Sequence, residues 1–385
     1  MPTLVVFDSS ITNNSPAGSC LLKLLRSLAG KWPIHTFVNR TDLADAPLLA
    51  QTRIPLPDKP VFVRTILFTL FATCAYALHR PDSPKIRIAT EGAFAFCQIS
   101  HTQFCHRYFL RYHRGAIAST WLRRLARTIN HGWCCLLEPI AFRYAAKIVV
   151  PSHGMARELE LTYPVLTRGK VHVIPNPIDV EDFVHDPSFD STQIYQHLGI
   201  GRGAFVLAFC ALGGFTRKGL EVVLRALANI DHRVIHLIVI GGETNEIREF
   251  AALTKQLGLA SNAHFVGLQH DIRPYLWSAH AFVFPSAYET FSLASFQAAA
   301  AGLPLIATRL NGVEDFLVDG LNGWLVERSV ESVAAAIRDA ATSPEKTAMM
   351  GQTAREQVQA YRTELFQKRW LQLLESEFGI RPVAA

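Results

Sequence analysis

Two residues eight positions apart raise the first chemical question. They lie in PSAYETFSLASFQAAAAGLPLIAT (residues 285–308), where a polar turn runs into an alanine-rich helical stretch. Glu289 stands in the turn, and Gln297 follows about a turn and a half into the helix. A loop carboxylate accepts hydrogen bonds from sugar hydroxyls, and an amide one helical face away reaches vicinal hydroxyls. The helix begins near Phe291–Leu293, so the N–H groups of Ser292 and Leu293 are expected to be free for a phosphate. Gly302 and Pro304 end the helix as cap and stop. Each residue also has an ordinary reading: Glu289 as a loop acid favoured by the helix dipole, Gln297 as a polar residue on a helix flank.

A second constellation is GGFTRKGLE (213–221). An apolar run ends in two glycines, Arg217 and Lys218 follow, and Gly219 opens a helix. Cations beside a glycine turn at a helix N-terminus read as an anion site, because arginine binds phosphate in a bidentate manner and helix amides point at it. A solvated basic turn is the bland alternative, although cations there work against the dipole.

The third is a segment without acids. From Gly92 to Leu137 there is no Asp or Glu, but there are Arg107, Arg111, Arg114, Arg123, Arg124 and Arg127, interleaved with aromatic residues. This pattern suits an anionic membrane surface or a phosphorylated acceptor. Nucleic acid is the rival partner, and an anionic membrane surface is expected in its place. His101, at the end of an apolar run, is a candidate polar contact or base. The histidines of this segment match no metal spacing.

The elements that must position these residues are legible as apolar runs. TLVVF, IHTFV, KIVV, FVLAFCA, HLIVI, AFVF and PLIAT alternate with helical stretches. Buried strands alternating with helices mean βαβ units and parallel sheets, with ligands at the carboxyl ends of the strands. The Pro- and Asp-rich stretch NPIDVEDFVHDPSFDST reads as the linker between two α/β domains. TILFTLFATCAYAL (65–78) is too short at 14 residues to span a bilayer and reads as a buried core helix.

Composition bounds the rest. The chain has 385 residues, a net charge of +6 and 49% hydrophobic residues, which fits two globular domains with an anionic partner. Seven cysteines without a CxxC pair point to a reducing compartment. The start MPTLVVFDSS has no basic region before a long apolar stretch, so no signal peptide is expected. No GxGxxG follows a strand, no GxxxxGK[ST] occurs and no DxD-like pair follows a strand, which disfavours dehydrogenases, P-loop enzymes and a metal-held diphosphate.

Taken together, SPAGS, ISHTQFCHRYFLR, KIVVPSHGMARELE, KVHVIPNPIDVEDF, FTRKGLEVVLRALA, HFVGLQHDIRPYLWSAHAFVFPSAYETFSLASFQ and NGVEDFLVDGLNGWLV resemble, in order and over nearly the whole chain, the family-4 retaining glycosyltransferases. The resemblance implies an α/β GT-B fold of two Rossmann-like, doubly wound domains facing across a cleft. Residues 1–176 would form the acceptor-binding domain, with a terminal helix, about 362–385, packing back on it. Residues 177–361 would form the donor-binding domain. Carried over by position, Arg217 and Lys218 would hold the donor diphosphate. Glu289 would contact the donor sugar, and His101 would face the reacting sugar. Gly18 would let acceptor or phosphate approach the backbone, and Val266 and Gly267 would border the base.

The family's second signature acid is Gln297 here, and Ser292 stands where glycine is usual. The amide can still accept from ribose hydroxyls, less strongly than a carboxylate. The implied activity moves a sugar from a UDP- or GDP-sugar to a lipid-linked or polysaccharide acceptor in cell-envelope or exopolysaccharide synthesis. It would need no metal or other cofactor and would act in the cytoplasm, peripheral to the inner face of the membrane. An epimerase or phosphorylase of similar fold, or a decayed nucleotide-sugar-binding protein, are the alternatives.

Overall fold

The computed structural model describes residues 2–78, 85–113, 121–231 and 234–379. It divides into two compact units. The first runs to Pro177 and takes back the terminal segment from Thr363; the second is Ile178–Arg362.

In the first unit the apolar runs become β1 (Thr3–Phe7), β2 (Ser10–Ile11), β3 (Ile34–Val38), β4 (Arg40–Thr41), β5 (Leu49–Arg53), β6 (Lys85–Thr90), β7 (Ile99–His101), β8 (Lys147–Val150) and β9 (Val171–Val173). Seven of them form one sheet in the order β5-β3-β1-β6-β7-β8-β9, parallel throughout. β2 and β4 pair separately. Residues of β1 alternate between two cores, Leu4 and Val6 on one face and Val5 and Phe7 on the other. That is the period-2 burial of a central strand covered on both sides. Chain order reverses beside β1, so its carboxyl end is the switch point where such sheets bind ligands.

Four helices of this unit matter below: α1 (Pro16–Leu28), α2 (Val61–Leu78), α3 (His106–Tyr112) and α4 (Trp121–Tyr144). The terminal helix, Thr363–Phe378, buries Phe366 and Trp370 in the core beneath α1. Gln367 Nε2 donates to the Lys23 carbonyl at 3.0 Å, and Lys147 pairs with Glu377 at 2.9 Å.

α2 departs from the sequence reading. The helix is 18 residues long, not 14, and only Phe68, Thr69, Ala72 and Tyr76 are buried. Its apolar run packs one narrow stripe inward and leaves the opposite side open.

The second unit holds β10 (Phe205–Ala211), β11 (Ile235–Gly241), β12 (Ala263–Gly267), β13 (Ala281–Phe284), β14 (Leu305–Ala307) and β15 (Gly323–Leu325). They form a parallel sheet in the order β12-β11-β10-β13-β14-β15. Its switch point lies beside β10. The stretch read as a linker is not a free one. Ile178, Val180 and Phe183 sink into this unit's core, and the Ile178 N–H donates to the Tyr361 carbonyl at 2.8 Å. Three apolar side chains at two- and three-residue spacing outweigh the Pro and Asp composition around them.

Candidate active site

The loops after β10 and β13 bring the first two constellations together. Arg217 and Lys218 end a single helical turn, Phe215–Lys218, and the longer helix Leu220–Ala228 starts after Gly219. The cations therefore lie just ahead of that helix's N-terminus, at the favourable end of their own short turn. Gly219 makes this possible: its φ is 86°, and a Cβ there would stand 2.2 Å from the Pro285 carbonyl oxygen. No other residue fits a left-handed turn pressed so closely on the next loop.

Glu289 is the hub. Its Oε1 accepts from Arg217 Nη1 at 3.0 Å, Lys218 Nζ at 2.5 Å and Ser286 Oγ at 2.9 Å. Its side chain is only 10% exposed. Burial lowers the Lys218 ammonium's pKa, against the raising pull of Glu289; the Arg217 charge lowers it further. Lys218 also lies over the Phe284 ring, 5.1 Å from its centroid. Arg217 donates to the Tyr288 carbonyl at 2.5 Å, and the Ala287 N–H to the Arg217 carbonyl at 2.8 Å. Charge is thus concentrated where a strand end meets two loops.

Three supporting residues escaped the sequence reading. Arg328 bridges the loops, donating to the Pro285 carbonyl at 3.2 Å and the Thr216 carbonyl at 2.8 Å. Thr308 donates to the Ser286 carbonyl at 2.7 Å. Glu246 accepts from the Gly214 N–H at 2.9 Å and the Phe215 N–H at 3.2 Å. The protein's own carboxylate thus caps the amides of the glycine turn ahead of the two cations. Nothing local in the sequence marks Glu246, which arrives from the helix Thr244–Gln256.

The helix after the Glu289 turn spans Leu293–Ala300, with Ser292 as its N-cap. Ser292 is buried, its hydroxyl pairs with Ser295 at 2.8 Å, and its N–H has no partner among the described residues. The Leu293 N–H is not free as expected: it donates to the Phe291 carbonyl at 3.1 Å because the turn tightens before the helix. Gln297 is half-buried, and its side-chain amide makes no hydrogen bond among the described residues, so it is available to a ligand. Gly267 ends β12 with φ 70° and open space around it, and the Val266 carbonyl accepts from Gln269 Nε2 at 2.5 Å.

The first unit's residues sit differently. His101 ends β7 but is only 1% exposed. Gln103 Nε2 lies 2.8 Å from His101 Nε2, which leaves the ring proton on Nδ1, 3.4 Å from the Thr90 hydroxyl. Gln103 is locked in turn to Asn176, and the ring meets Trp370 edge-on. Burial pulls His101 down to about 4. It is a neutral, fully engaged core histidine, and the structure does not present it to a ligand as the sequence reading expected.

Gly18 is required by the chain itself. A Cβ there would stand 1.7 Å from the Ser10 carbonyl oxygen, so its missing side chain admits β2 rather than a ligand. Beside it, at the start of α1, a cavity of about 650 Å³ is lined by Ser10, Asn14, Ser15, Arg40, Arg53 and Arg64 among others. Two acids at the switch point were also missed, although both follow apolar runs. Asp8 is buried, with Oδ1 accepting from the Ser10 N–H at 2.8 Å and Oδ2 without a partner among the described residues. Burial pushes its carboxyl up. Glu91 follows β6 in a left-handed backbone (φ 49°); its surface is open to solvent, while the protein packed around its carboxyl, then the Asp8 and Glu138 charges, push that carboxyl up.

Of the six arginines, Arg107 lies over the Tyr163 ring, 5.0 Å from its centroid, and Arg111 over Tyr112 at 5.3 Å. Arg124 and Arg127 are exposed on α4. Arg114 and the side chain of Arg123 lie outside the described residues. Among the described residues no three His, Cys, Asp or Glu side chains converge as a metal-binding group.

Two doubly wound parallel units, with a cationic loop and a carboxylate hub at the switch point of the second, define the class as GT-B. Residues 18–182 match the family model Glycosyltransferase Family 4, and residues 205–343 match Glycosyl transferases group 1. The chain belongs to this family of glycosyltransferases. The alpha-maltose-1-phosphate synthase of Mycolicibacterium smegmatis is 26% identical over 234 residues, 57% of this chain and 60% of that protein. The lipopolysaccharide core biosynthesis glycosyltransferase LpsE of Rhizobium meliloti is 28% identical over 159 residues, 38% of this chain and 46% of its own length. The chain thus spans about half the length of the curated relatives it matches. The solved structure of Anabaena HepE with UDP-glucose is 18% identical and covers 98% of this chain and 100% of its own, with a TM-score of 0.73; that likeness shows the fold.

Proposed function

We propose that the protein is a retaining glycosyltransferase that moves a sugar from a UDP- or GDP-sugar to a lipid-linked or polysaccharide acceptor in cell-envelope glycan synthesis. The observation that carries this reading is the convergence of Arg217 and Lys218 on Glu289 at a strand end, with the free Gln297 amide in the adjoining helix. As the glycosidic bond of the donor breaks, negative charge grows on the leaving diphosphate. Arg217 and Lys218 stabilise that charge, the role a metal would otherwise fill, so the reaction needs no cofactor. Glu289 then exchanges part of its bonding to the cations for the hydroxyls of the donor sugar. Gln297 accepts from the ribose hydroxyls.

Retention follows from acceptor attack on the face the diphosphate leaves, with the phosphate assisting as base. No protein nucleophile is assigned. LpsE is named for lipopolysaccharide core synthesis, and HepE was solved with UDP-glucose; both support the substrate class. The arginines lining the cavity beside α1 suit an acceptor bearing phosphate or carboxylate. We place the protein in the cytoplasm, peripheral to the membrane.

The test is nucleotide release and product formation from a panel of UDP- and GDP-sugars with extracted lipid acceptors. Arg217→Ala and Lys218→Ala should each lower turnover by about 100-fold or more, with circular dichroism unchanged. Unchanged turnover in both variants would remove the cations from the mechanism.

A further inference from the structure

The helical turn that carries Arg217 and Lys218 is four residues long, closed by the Lys218 N–H on the Gly214 carbonyl at 2.9 Å. A single turn gains too little from its own bonds to hold its shape, so its neighbours must set its position. The carbonyl end is gripped from one side. Arg328 Nη2 donates to the Thr216 carbonyl at 2.8 Å, and the Ala287 N–H to the Arg217 carbonyl at 2.8 Å. The amide end is gripped from the other side by Glu246. Its Oε1 accepts from the Gly214 N–H at 2.9 Å and the Phe215 N–H at 3.2 Å, and its Oε2 lies 3.1 Å from the Gly214 nitrogen. Among the described residues these two amides have no other partner. Glu246 stands in the first turn of the helix Thr244–Gln256. That helix also meets the cationic turn through Phe250, whose buried ring lies edge-on to the buried Phe215 ring at 5.4 Å. Gly213 leaves the space the carboxylate fills: a Cβ there would stand 3.0 Å from Oε2.

We propose that Glu246 is a positioning residue for transfer: it fixes the amide end of the turn so that Arg217 and Lys218 meet the donor diphosphate, and it touches no substrate itself. The inference rests on the donor-site reading of those two cations. Bonding and charge give Glu246 opposite signs here. A carboxylate close to an anion site repels the ligand, so acting through charge alone it would weaken donor binding. Seated on the two amides, it does the reverse. An acid at the amide end and cations at the carbonyl end both suit the dipole of the turn. A turn ordered in advance also spares the donor the cost of ordering it on binding. The two acids divide the work. Glu289 holds the cationic side chains, and Glu246 holds the backbone that carries them.

The test is donor and acceptor saturation kinetics of the full chain, with nucleotide diphosphate affinity by calorimetry, in Glu246→Ala, Glu246→Gln and Gly213→Ala. Glu246→Ala should raise the donor KM and the nucleotide Kd and lower donor kcat/KM about tenfold, with the acceptor KM unchanged. Glu246→Gln keeps an accepting oxygen without the charge and should stay within about threefold of wild type. Gly213→Ala should lower donor kcat/KM on its own, yet add nothing in the Glu246→Ala background, because the carboxylate alone crowds the new Cβ. Tighter nucleotide binding by Glu246→Ala would assign the residue a charge effect and overturn the proposal. A glutamine variant as weak as the alanine one overturns it, as do additive losses in the double variant. Equal losses toward donor and acceptor, with a lowered melting temperature, would make Glu246 merely structural and overturn it too. Hydrogen exchange over residues 213–218 tests the placement without any donor: faster exchange in Glu246→Ala supports it, and unchanged exchange overturns it. Faster exchange in that variant beside a wild type that binds no nucleotide supports the placement and sinks the donor-site reading instead.

Discussion

Glu289 holds two cations and a hydroxyl on one oxygen, in a position only 10% exposed. Removing it leaves Arg217 and Lys218 facing each other without their counter-charge. Glu289→Ala should therefore cost about 2–4 kcal/mol in urea denaturation, and Glu289→Gln, which keeps an accepting oxygen, clearly less. Equal stability of the alanine variant and the wild type would show that water already compensates the pair.

Four histidines, His101 and His106 buried and His131 and His264 half-buried, set a second expectation. His101 is pulled down to about 4, His106 to about 3, and His131 and His264 to about 4, all chiefly by burial. The unfolded chain binds their protons from about pH 6.5 downward while the fold refuses them, so stability falls as pH drops from 6.5 towards 4. For His101 the fall from 6.5 to about 4 corresponds to about 3 kcal/mol at the acid limit. Asp8 and Glu91, whose carboxyls are raised, act in the opposite direction. The informative measurement is thus the difference in melting temperature between wild type and His101→Gln across pH 7 to 4.5. The variant should lose stability less steeply; parallel curves would count against burial as the cause.

At the scale of elements, Gly219 ties the cationic turn to the loop of Glu289. Gly219→Ala should cost about 2–4 kcal/mol, since both its φ of 86° and the 2.2 Å approach to Pro285 oppose a Cβ. Gly199→Ala, at φ 68° with open space around it, should cost only about 1 kcal/mol. Similar denaturation midpoints for the two would mean the loops separate freely.

The same scale shows what the sequence made legible. The strands stand where short apolar runs are bounded by glycine and proline, because burial on both faces leaves no room for polar residues. Glu289 and the Arg217–Lys218 pair announced themselves as charges directly after such runs. The surroundings of His101 did not, since Gln103, Asn176 and Trp370 come from three separate parts of the chain. Nor did Glu246, whose role depends on a helix two elements away. The run in α2 gave length and polarity but not side: apolar residues all round a helix leave open which face the core takes.

At the scale of the molecule, each unit offers its own chemistry at its own switch point. The second holds fixed cations and a free amide. The first holds a polar cavity beside α1 and the raised acids Asp8 and Glu91. Sequence likeness to known glycosyltransferases covers both units, but neither the sugar nor the base is written in the motifs, because specificity lives in pocket contacts.

Arg217, Lys218 and Gln297 together build the proposed donor site. It is tested most directly by thermal-shift titration of the full chain with UDP, GDP, ADP and TDP, with and without magnesium. A ligand bound only by the native state raises the melting temperature. A selective rise with one nucleotide is expected, unchanged by magnesium and abolished in Arg217→Ala/Lys218→Ala. No rise with any of the four, or a rise the double variant retains, would contradict it.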